Sequence, residues 1–216
     1  MSFMYNPFPF DDPKPINRPK LSEKTVDSIV TGGTPNVAKK FVAEIAGKVK
    51  EEGVIVGIDG YTTANWNLFV DLLARECVIN GFEFEAVDSK AVLKSGKEID
   101  DMIDPLLIWD TKIDPTLLYG KLYHGGYIGL FDQAKVAEFK AAVPAKKTPG
   151  KLVVVAGYGS MVPELRDMYD VKCWFDLTPM KTMLRIRGGE YSNIGKERPG
   201  IINRTIRRCY YCDFEC

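Results

Sequence analysis

The chain has 216 residues, of which 45% are apolar, and its 29 basic and 29 acidic side chains balance. This length and apolar content predict one substantial α/β domain or two small ones, and they exclude wholesale disorder. The balanced charge gives no reason to expect a general surface for nucleic acid or for an anionic membrane. No apolar run reaches membrane-spanning length, and MSFMYNPFPFDDPKP lacks the order of a signal peptide, so we expect a cytoplasmic protein.

Residues 1–20 contain five of the thirteen prolines, together with four aromatic side chains. Proline fixes φ and restricts the residue before it, so the segment is predicted to be an extended arm that precedes a domain over 21–216. The arm could lie as a strap across its own domain. It could also bind a partner, including a second copy of the chain in a homo-oligomer.

Helix and strand patterns alternate from residue 34 to residue 87. Thr34-Pro35 predicts a helix start, with threonine as N-cap, and the helix should end near Gly53. A β-branched run at 54–56 predicts a central parallel strand. Apolar spacing over 66–73 predicts a second helix, which Gly81 ends, and 82–87 is predicted to be the next strand.

The remaining elements follow in the same manner, although the signals from 89 to 144 are mixed. Strands are predicted at 106–109, 151–156, 171–177 and 209–214. Helices are predicted around 99–103 and over 131–142, 163–168, 179–187 and 201–208, with a Gly-rich, mobile loop at 188–200. This alternation predicts a three-layer α/β fold, a parallel sheet with helices on both faces.

The first strand runs into Gly57-Ile-Asp-Gly-Tyr-Thr-Thr-Ala64, the setting in which nucleotide kinases carry the phosphate loop G-x-x-x-x-G-K-[ST]. The order of elements over about 50–215 resembles the P-loop kinases of the uridine-kinase type. Gly57 matches the first glycine of that loop, whereas Thr62, Thr63 and Ala64 replace the second glycine, the lysine and the magnesium-binding hydroxyl. A lost lysine contact removes about 1.5–3 kcal/mol from phosphate binding.

Two further residues of this loop bear on phosphate binding. Asp59 adds a negative charge where the phosphates would lie, and Tyr61 adds bulk. The resemblance nevertheless implies a phosphate- or nucleotide-binding set of Gly57, Asp59, Gly60, Thr62 and Thr63. The alternative is a strand-to-helix turn in which Gly57 and Gly60 only permit tight backbone geometry.

Three other positions extend the resemblance. Asp88, in Val87-Asp88-Ser89, matches the carboxylate that accepts the proton of the nucleoside hydroxyl, although the pair could equally cap the following helix. Ala156 stands where an acid near the magnesium would be expected. Arg185 and Arg187 match the lid arginines that clamp transferring phosphates, or they lie on a solvated helix face.

The arm, the GIDGYTT loop and the closing RRCYYCDFE also resemble the N-terminal region of bacterial proteins identified as class I mannose-6-phosphate isomerases. In those proteins a degenerate kinase-like domain precedes a cupin domain. The resemblance implies a sugar-phosphate context and a downstream cupin domain. It places no isomerase chemistry in these residues, because a cupin isomerase needs several metal ligands including histidine, and His124 is the only one here.

A metal site is not predicted. The five cysteines are expected to be reduced, and Cys209-x₂-Cys212-x₃-Cys216 lacks a fourth ligand. In the predicted strand, Cys209 and Cys212 would also face opposite sides. His124 could serve as a general base or as a hydrogen-bonded structural residue, and 119–131 could line an acceptor pocket or belong to the core.

Two functions follow from these patterns, and a purely structural domain that needs no ligand is a third option. The first is a non-catalytic module that binds a sugar phosphate or nucleotide, or that braces a cupin isomerase. The second is an active phosphotransferase like a uridine, nucleoside or sugar kinase, with an atypical phosphate loop. It would use ATP and magnesium as cofactors, Asp88 as base and Arg185 and Arg187 as clamps. The three losses at Thr63, Ala64 and Ala156 favour the first.

Overall fold

The structure is a computed structural model that describes residues 21–116 and 118–216. The predicted arm over 1–20 lies outside the described residues. A four-stranded parallel sheet forms the centre, with the strands β1 (Val54–Gly60), β2 (Glu83–Asp88), β3 (Lys151–Ala156) and β4 (Val171–Phe175). Their order across the sheet is β2-β3-β1-β4, so the buried β1 and β3 lie side by side in the middle.

Nine α-helices surround or extend the sheet in the described part of the chain. They are α1 (Glu23–Ser28), α2 (Gly33–Glu52), α3 (Asn67–Ile79), α4 (Gly96–Ile103), α5 (Gly126–Leu130), α6 (Gln133–Ala145), α7 (Pro163–Arg166), α8 (Pro179–Arg187) and α9 (Ile202–Arg208). Two 3₁₀ turns, Ser89–Val92 and Asp104–Leu106, and a π-helical turn, Cys209–Asp213, complete the elements.

Alternate residues of β1 and β3 point to opposite faces of the sheet, and each face has its own core. Val54, Val56 and Ile58 pack with side chains of α2 and α3. Ile55, on the other face, packs with side chains of α6 and α7 and with Tyr169. The predicted three-layer α/β fold is therefore confirmed, because a strand buried on both faces requires helices on both.

Two predicted strands are wrong. Residues 106–109 form the end of a 3₁₀ turn and a single bridge between Leu107 and Gly120, not a strand. Residues 209–214 form a π-helical turn, in which the Phe214 N–H donates to the Cys209 carbonyl oxygen at 2.8 Å. The turn buries Cys209 and Cys212 together, an arrangement that the opposite faces of a strand would not allow.

Asp170, just before β4, forms hydrogen bonds to three separate parts of the fold. Its Oδ2 accepts from the Ile55 N–H at 2.8 Å, and its Oδ1 accepts from Lys48 Nζ and Lys147 Nζ, both at 2.9 Å. Burial opposes ionisation of Asp170, but these hydrogen bonds outweigh burial and lower its pKa. The ionised carboxylate therefore stabilises the folded state.

We expect Asp170→Asn to lower the free energy of unfolding by about 1–3 kcal/mol at neutral pH. The folded pKa lies below the unfolded one, so this contribution is complete above the unfolded carboxyl value and is lost as pH falls through the folded value. Urea denaturation at a series of pH values measures it. Asp101→Asn, which breaks an exposed pair with Lys97, is the matched control and should change stability by less than about 0.5 kcal/mol.

None of the described helices is both long and apolar enough to span a membrane.

Candidate functional site

The sheet has a topological switch point between β1 and β3. The chain leaves β1 towards α3 on one face, and it leaves β3 towards α7 on the opposite face. The two connections therefore diverge at the carboxyl ends of neighbouring strands and leave a crevice there. Ligands of open α/β sheets bind in such a crevice, which makes this edge the candidate site.

A cavity of about 720 Å³, here named the first cavity, opens at this edge. Its walls come from the loop after β1, the end of β2, the end of β3, α8 and the loop over 188–200. Thr63, Asp88 and Arg185 all line it, so the fold brings together three residues that are far apart in sequence. Its volume lies in the range of small-ligand pockets.

The other predicted site residues lie elsewhere. Asp59, Gly60 and Thr62 line a separate cavity of about 410 Å³, here named the second cavity. Gly57 and Arg187 line neither of these two cavities, and Arg187 is exposed.

The backbone after β1 does not turn where a phosphate loop would. β1 continues as a strand through Gly60, where Asp59 pairs with Trp174 and Gly60 with Phe175 of β4. The Tyr61 N–H then donates to the Phe175 carbonyl oxygen at 2.9 Å. Helix α3 begins only at Asn67, so its N-terminus does not directly follow a glycine loop as in a phosphate-binding helix.

The Asp59 carboxylate binds backbone amides in this crevice. Its Oδ1 accepts from the Gly60 N–H at 2.8 Å and its Oδ2 from the Met161 N–H at 3.0 Å, and the Gly159 N–H also donates to it. Burial raises the pKa of Asp59 above the ordinary carboxyl value, and the three amides oppose that rise. The Asp59 carboxylate, an anion that belongs to the chain itself, therefore occupies backbone amides at the switch point.

Helix α8 and Tyr158 hold the turn at Thr62 and Thr63. Thr182 Oγ1 donates to the Thr62 carbonyl oxygen at 3.1 Å, and Arg185 Nη1 donates to the Thr63 carbonyl oxygen at 2.6 Å. The Tyr158 hydroxyl also bonds this turn, because it donates to the Ala64 carbonyl oxygen at 3.2 Å. Thr63 has a φ of +69°, which is uncommon for a β-branched residue, so these contacts stabilise a strained turn.

The two glycines of β1 are explained by close contacts. A Cβ on Gly57 would lie 2.3 Å from Tyr169 Cδ2, and a Cβ on Gly60 would lie 2.5 Å from the Phe175 carbonyl oxygen. Any larger residue would therefore displace a buried ring or the backbone of β4. These contacts agree with the alternative in which the glycines permit tight geometry.

Asp88 caps the turn that follows it, and it also lines the first cavity. Its Oδ1 caps the turn Ser89–Val92 by accepting from the Lys90 N–H at 2.8 Å. The residue is also exposed and lines the first cavity together with Lys90. Its carboxylate is thus accessible to a ligand even while it caps the turn.

The aromatic segment 119–131 contributes one residue to both cavities. Tyr127 lines the first and the second cavity, whereas Tyr119 and His124 are exposed and line neither. In the described part of the chain, no three His, Cys, Asp or Glu side chains are grouped closely enough to hold a metal ion.

A sequence-family model for a domain of unknown function (DUF8485) matches residues 38–216. The chain belongs to this family. A search of curated protein sequences finds no match for the DUF8485 chain.

Solved structures resemble the DUF8485 chain in fold. A protein named as a fructose transport system kinase, from Silicibacter sp. TM1040, is 11% identical with a TM-score of 0.54, over 85% of this chain and 91% of that one. A protein named as a uridine kinase, from Bacillus stearothermophilus, is 11% identical with a TM-score of 0.44, over 68% of this chain and 84% of that one. At 11% identity, the likeness to the fructose transport system kinase shows the fold alone, which is P-loop kinase-like.

Sequence reasoning missed a buried polar cluster beside the two cavities of the DUF8485 chain. Asp213 Oδ2 accepts from the Tyr191 hydroxyl at 3.0 Å and from Asn193 Nδ2 at 2.6 Å. The loop over 188–200 has no regular element, as predicted, yet Tyr191, Asn193 and Ile194 are buried. The apolar Tyr191 and Ile194 among glycines were the available signal that part of this loop packs against the domain.

Proposed function

We propose that this DUF8485 domain is a non-catalytic, kinase-like module that binds a small phosphorylated molecule in the first cavity and does not bind magnesium-ATP as a kinase does. The absence of magnesium-ATP binding is the central part of this proposal, and the observation that carries it is the Asp59 carboxylate on the amides of Gly60, Gly159 and Met161. A triphosphate at this crevice would meet a negative charge and amides that are already bonded. Such an arrangement opposes anion binding.

The side chains with which a kinase binds ATP and magnesium are also missing. Thr63 replaces the lysine, and its own carbonyl oxygen is bonded by Arg185. Ala64 and Ala156 line the first cavity where hydroxyl and carboxylate ligands for magnesium would stand. Magnesium is bound in such sites through one or two carboxylates and the substrate phosphates. The alanine side chains at positions 64 and 156 have no oxygen that could bind the ion.

The wall of the first cavity at the end of β2 has side chains that could bind a sugar phosphate. Lys90 is exposed on its wall and forms no ion pair with any described residue, so its ammonium group is accessible to a phosphate. Lys196 pairs with Asp100, and Lys94 Nζ donates to the Gly129 carbonyl oxygen at 2.5 Å. The Asp88 carboxylate, beside Lys90, can accept a hydrogen bond from a sugar hydroxyl.

A second candidate is an active phosphotransferase. Asp88 and Arg185 line the same cavity, which supports a carboxylate base and a cationic clamp acting on one ligand. Association with a mannose-6-phosphate isomerase-like cupin domain rests on the sequence resemblance alone. It makes mannose 6-phosphate the first sugar phosphate to test.

Calorimetric titration of the chain with magnesium-ATP, mannose 6-phosphate and uridine separates these candidates. We expect no binding of magnesium-ATP and measurable binding of the sugar phosphate. Lys90→Ala should weaken sugar-phosphate binding at least about tenfold, because a charge-assisted contact contributes about 1.5–3 kcal/mol. Lys140→Ala, an exposed lysine on α6 outside the first cavity, is the matched control.

Micromolar binding of magnesium-ATP that Arg185→Ala abolishes would overturn the non-catalytic proposal in favour of the phosphotransferase. Equal sugar-phosphate binding by Lys90→Ala and the wild type would remove the first cavity as the phosphate site.

A further inference from the structure

Three aromatic side chains on the lining of the second cavity, Tyr61, Trp174 and Phe214, are here named the aromatic wall. The Tyr61 and Phe214 rings are stacked, with centroids 6.3 Å apart and planes 11° apart, and Trp174 is 61% exposed. The two carboxylates of the lining, Asp59 and Asp213, are only 5% and 2% exposed, so the accessible part of the cavity is largely apolar. Grouped apolar side chains that stay exposed mark a surface on which another segment can bind.

The sheet leaves one face of β4 open beside this wall. Val171, Cys173 and Phe175 point to the face that packs against α2 and α3. Lys172 and Trp174 point to the opposite face and are exposed. Helices cover both faces of the sheet in a three-layer fold, so this part of β4 lacks its second cover within the described residues.

The chain contains a segment whose composition fits an aromatic wall. Residues 1–20 include Phe3, Tyr5, Phe8 and Phe10, which are interspersed with prolines. Because proline fixes φ and keeps the preceding residue extended, such a segment loses little conformational entropy when it binds. Proline-rich segments bind aromatic-lined grooves in this way. Tyr5 and Phe8 are three residues apart, which is the repeat of a polyproline II helix, so in that conformation they share one face.

The arm is long enough to reach the wall, and it joins the domain at the same edge of the sheet. Helix α2 is connected to β1 by Gly53 alone, so its first half lies towards the carboxyl end of β1. The Phe41 ring of α2 contacts Phe69 at 5.8 Å between centroids, and Phe69 contacts Phe175 at 5.4 Å. Twenty residues of polyproline II helix span about 60 Å, whereas a compact domain of about 200 residues is about 40 Å across.

We propose that the arm over 1–20 binds the aromatic wall of its own chain, with Tyr5 and Phe8 packed against Trp174 and Tyr61. A tethered segment is present at an effective concentration in the millimolar range, which favours the arm of the same chain over that of a second copy. The proposal is independent of the function of the first cavity, because it concerns a different surface.

Hydroxyl-radical footprinting of the full chain, read by mass spectrometry, tests the proposal residue by residue. Tyr5→Ser/Phe8→Ser should raise the oxidation rate of Trp174 about threefold or more, because the tether keeps the wild-type arm bound for most of the time. Trp109, which is 39% exposed and lies outside the second cavity, is the internal reference and should be oxidised at an unchanged rate.

Asp11→Ser/Asp12→Ser is the matched control variant. It makes two substitutions in the same arm and removes no aromatic ring, so the oxidation rate of Trp174 should remain that of the wild type. An increase equal to that of Tyr5→Ser/Phe8→Ser would overturn the assignment of the two rings.

The reciprocal experiment changes the wall and measures the arm. Chymotrypsin accepts aromatic residues in its specificity pocket, and the bond after Phe10 is a cleavable one in the arm. Trp174→Ser, at an exposed position where the variant should fold, is expected to raise the rate of this cleavage about threefold or more. Val78→Ser, at a 76% exposed position of α3 outside the second cavity, is the control and should be cleaved at the wild-type rate.

Unchanged oxidation of Trp174 in the arm variant, or unchanged cleavage in Trp174→Ser, would each overturn the proposal. Footprinting and light scattering at decreasing chain concentration identify which arm is bound. A monomer with constant protection of Trp174 supports binding within one chain. Protection that is lost on dilution, together with a dimer, would overturn it in favour of the arm of a second copy.

Discussion

Replacing Gly57 with alanine is expected to lower the free energy of unfolding by about 3 kcal/mol. The new Cβ would lie 2.3 Å from Tyr169 Cδ2 and 2.6 Å from Cε2, closer than carbon atoms approach without displacement. Tyr169 is only 4% exposed and packs in the core between the sheet, α6 and α7, so its ring has little room to move. Urea denaturation of the wild type and the variant measures the loss.

Gly47→Ala is the matched control for this substitution. Gly47 lies inside α2, and a Cβ there would meet no atom within 4 Å. Alanine should therefore stabilise the protein by about 0.5–1 kcal/mol, because glycine is the poorer residue in a helix interior. Opposite signs for the same chemical change would show that position 57 is governed by packing.

A double substitution tests the named contact. In a Tyr169→Ala background the clashing ring is absent, so Gly57→Ala should cost less than about 0.5 kcal/mol. If Gly57→Ala remains as costly without the ring, the cause lies in the backbone and not in Tyr169. If the single variant Gly57→Ala is as stable as the wild type, the packing explanation for this glycine is wrong.

Elements with complete local signals were predicted well from the sequence. The bounds predicted for β3 and α8 are those observed, because Pro149-Gly150 precedes the apolar run of β3 and Pro179 occupies the first turn of α8. Such elements depend on residues that are neighbours in sequence. The parallel sheet followed from their alternation.

The features that determine the chemistry of the candidate site depend on residues that are far apart in sequence. Asp59 was recognised as an unwelcome charge for phosphates, but its bonds come from Gly159 and Met161, about a hundred positions later. The strand predicted for 209–214 failed because its apolar residues fit a helical turn as well as a strand, and burial against other elements selected the turn. Local patterns carry no information on such contacts.

The two cavities on either side of Tyr127 divide the chemistry of this edge by charge. Lys90, Lys94, Arg185 and Lys196 line the first cavity, whereas basic side chains are absent from the lining of the second. Asp59 is one of two acidic residues that line the second cavity, and it lies near the carboxyl end of β1, at the position where a kinase would bind phosphate. Removing its charge is therefore the most direct way to change what the crevice binds.

Asp59→Ala is expected to lower the free energy of unfolding by about 2–3 kcal/mol, because the amides of Gly60, Gly159 and Met161 lose their common acceptor. The same change leaves unpaired amides beside the second cavity, which gives room for a small anion. We therefore expect millimolar inorganic phosphate to restore much of the lost stability, since a ligand that binds only the folded state stabilises it. Denaturation midpoints with and without phosphate measure both effects.

Asp59→Asn distinguishes specific binding from a general salt effect. The asparagine has one acceptor oxygen and an NH₂ donor, so it fills the same space and leaves fewer amides free. Sulfate and phosphate stabilise most proteins by exclusion from the surface, and this general effect should be equal in the wild type, Asp59→Asn and Asp59→Ala. An excess stabilisation confined to Asp59→Ala would show that the carboxylate occupies an anion site. Equal responses in all three proteins would show that these amides form no anion site once the carboxylate is gone, and the central support for the proposed loss of ATP binding would fall with it.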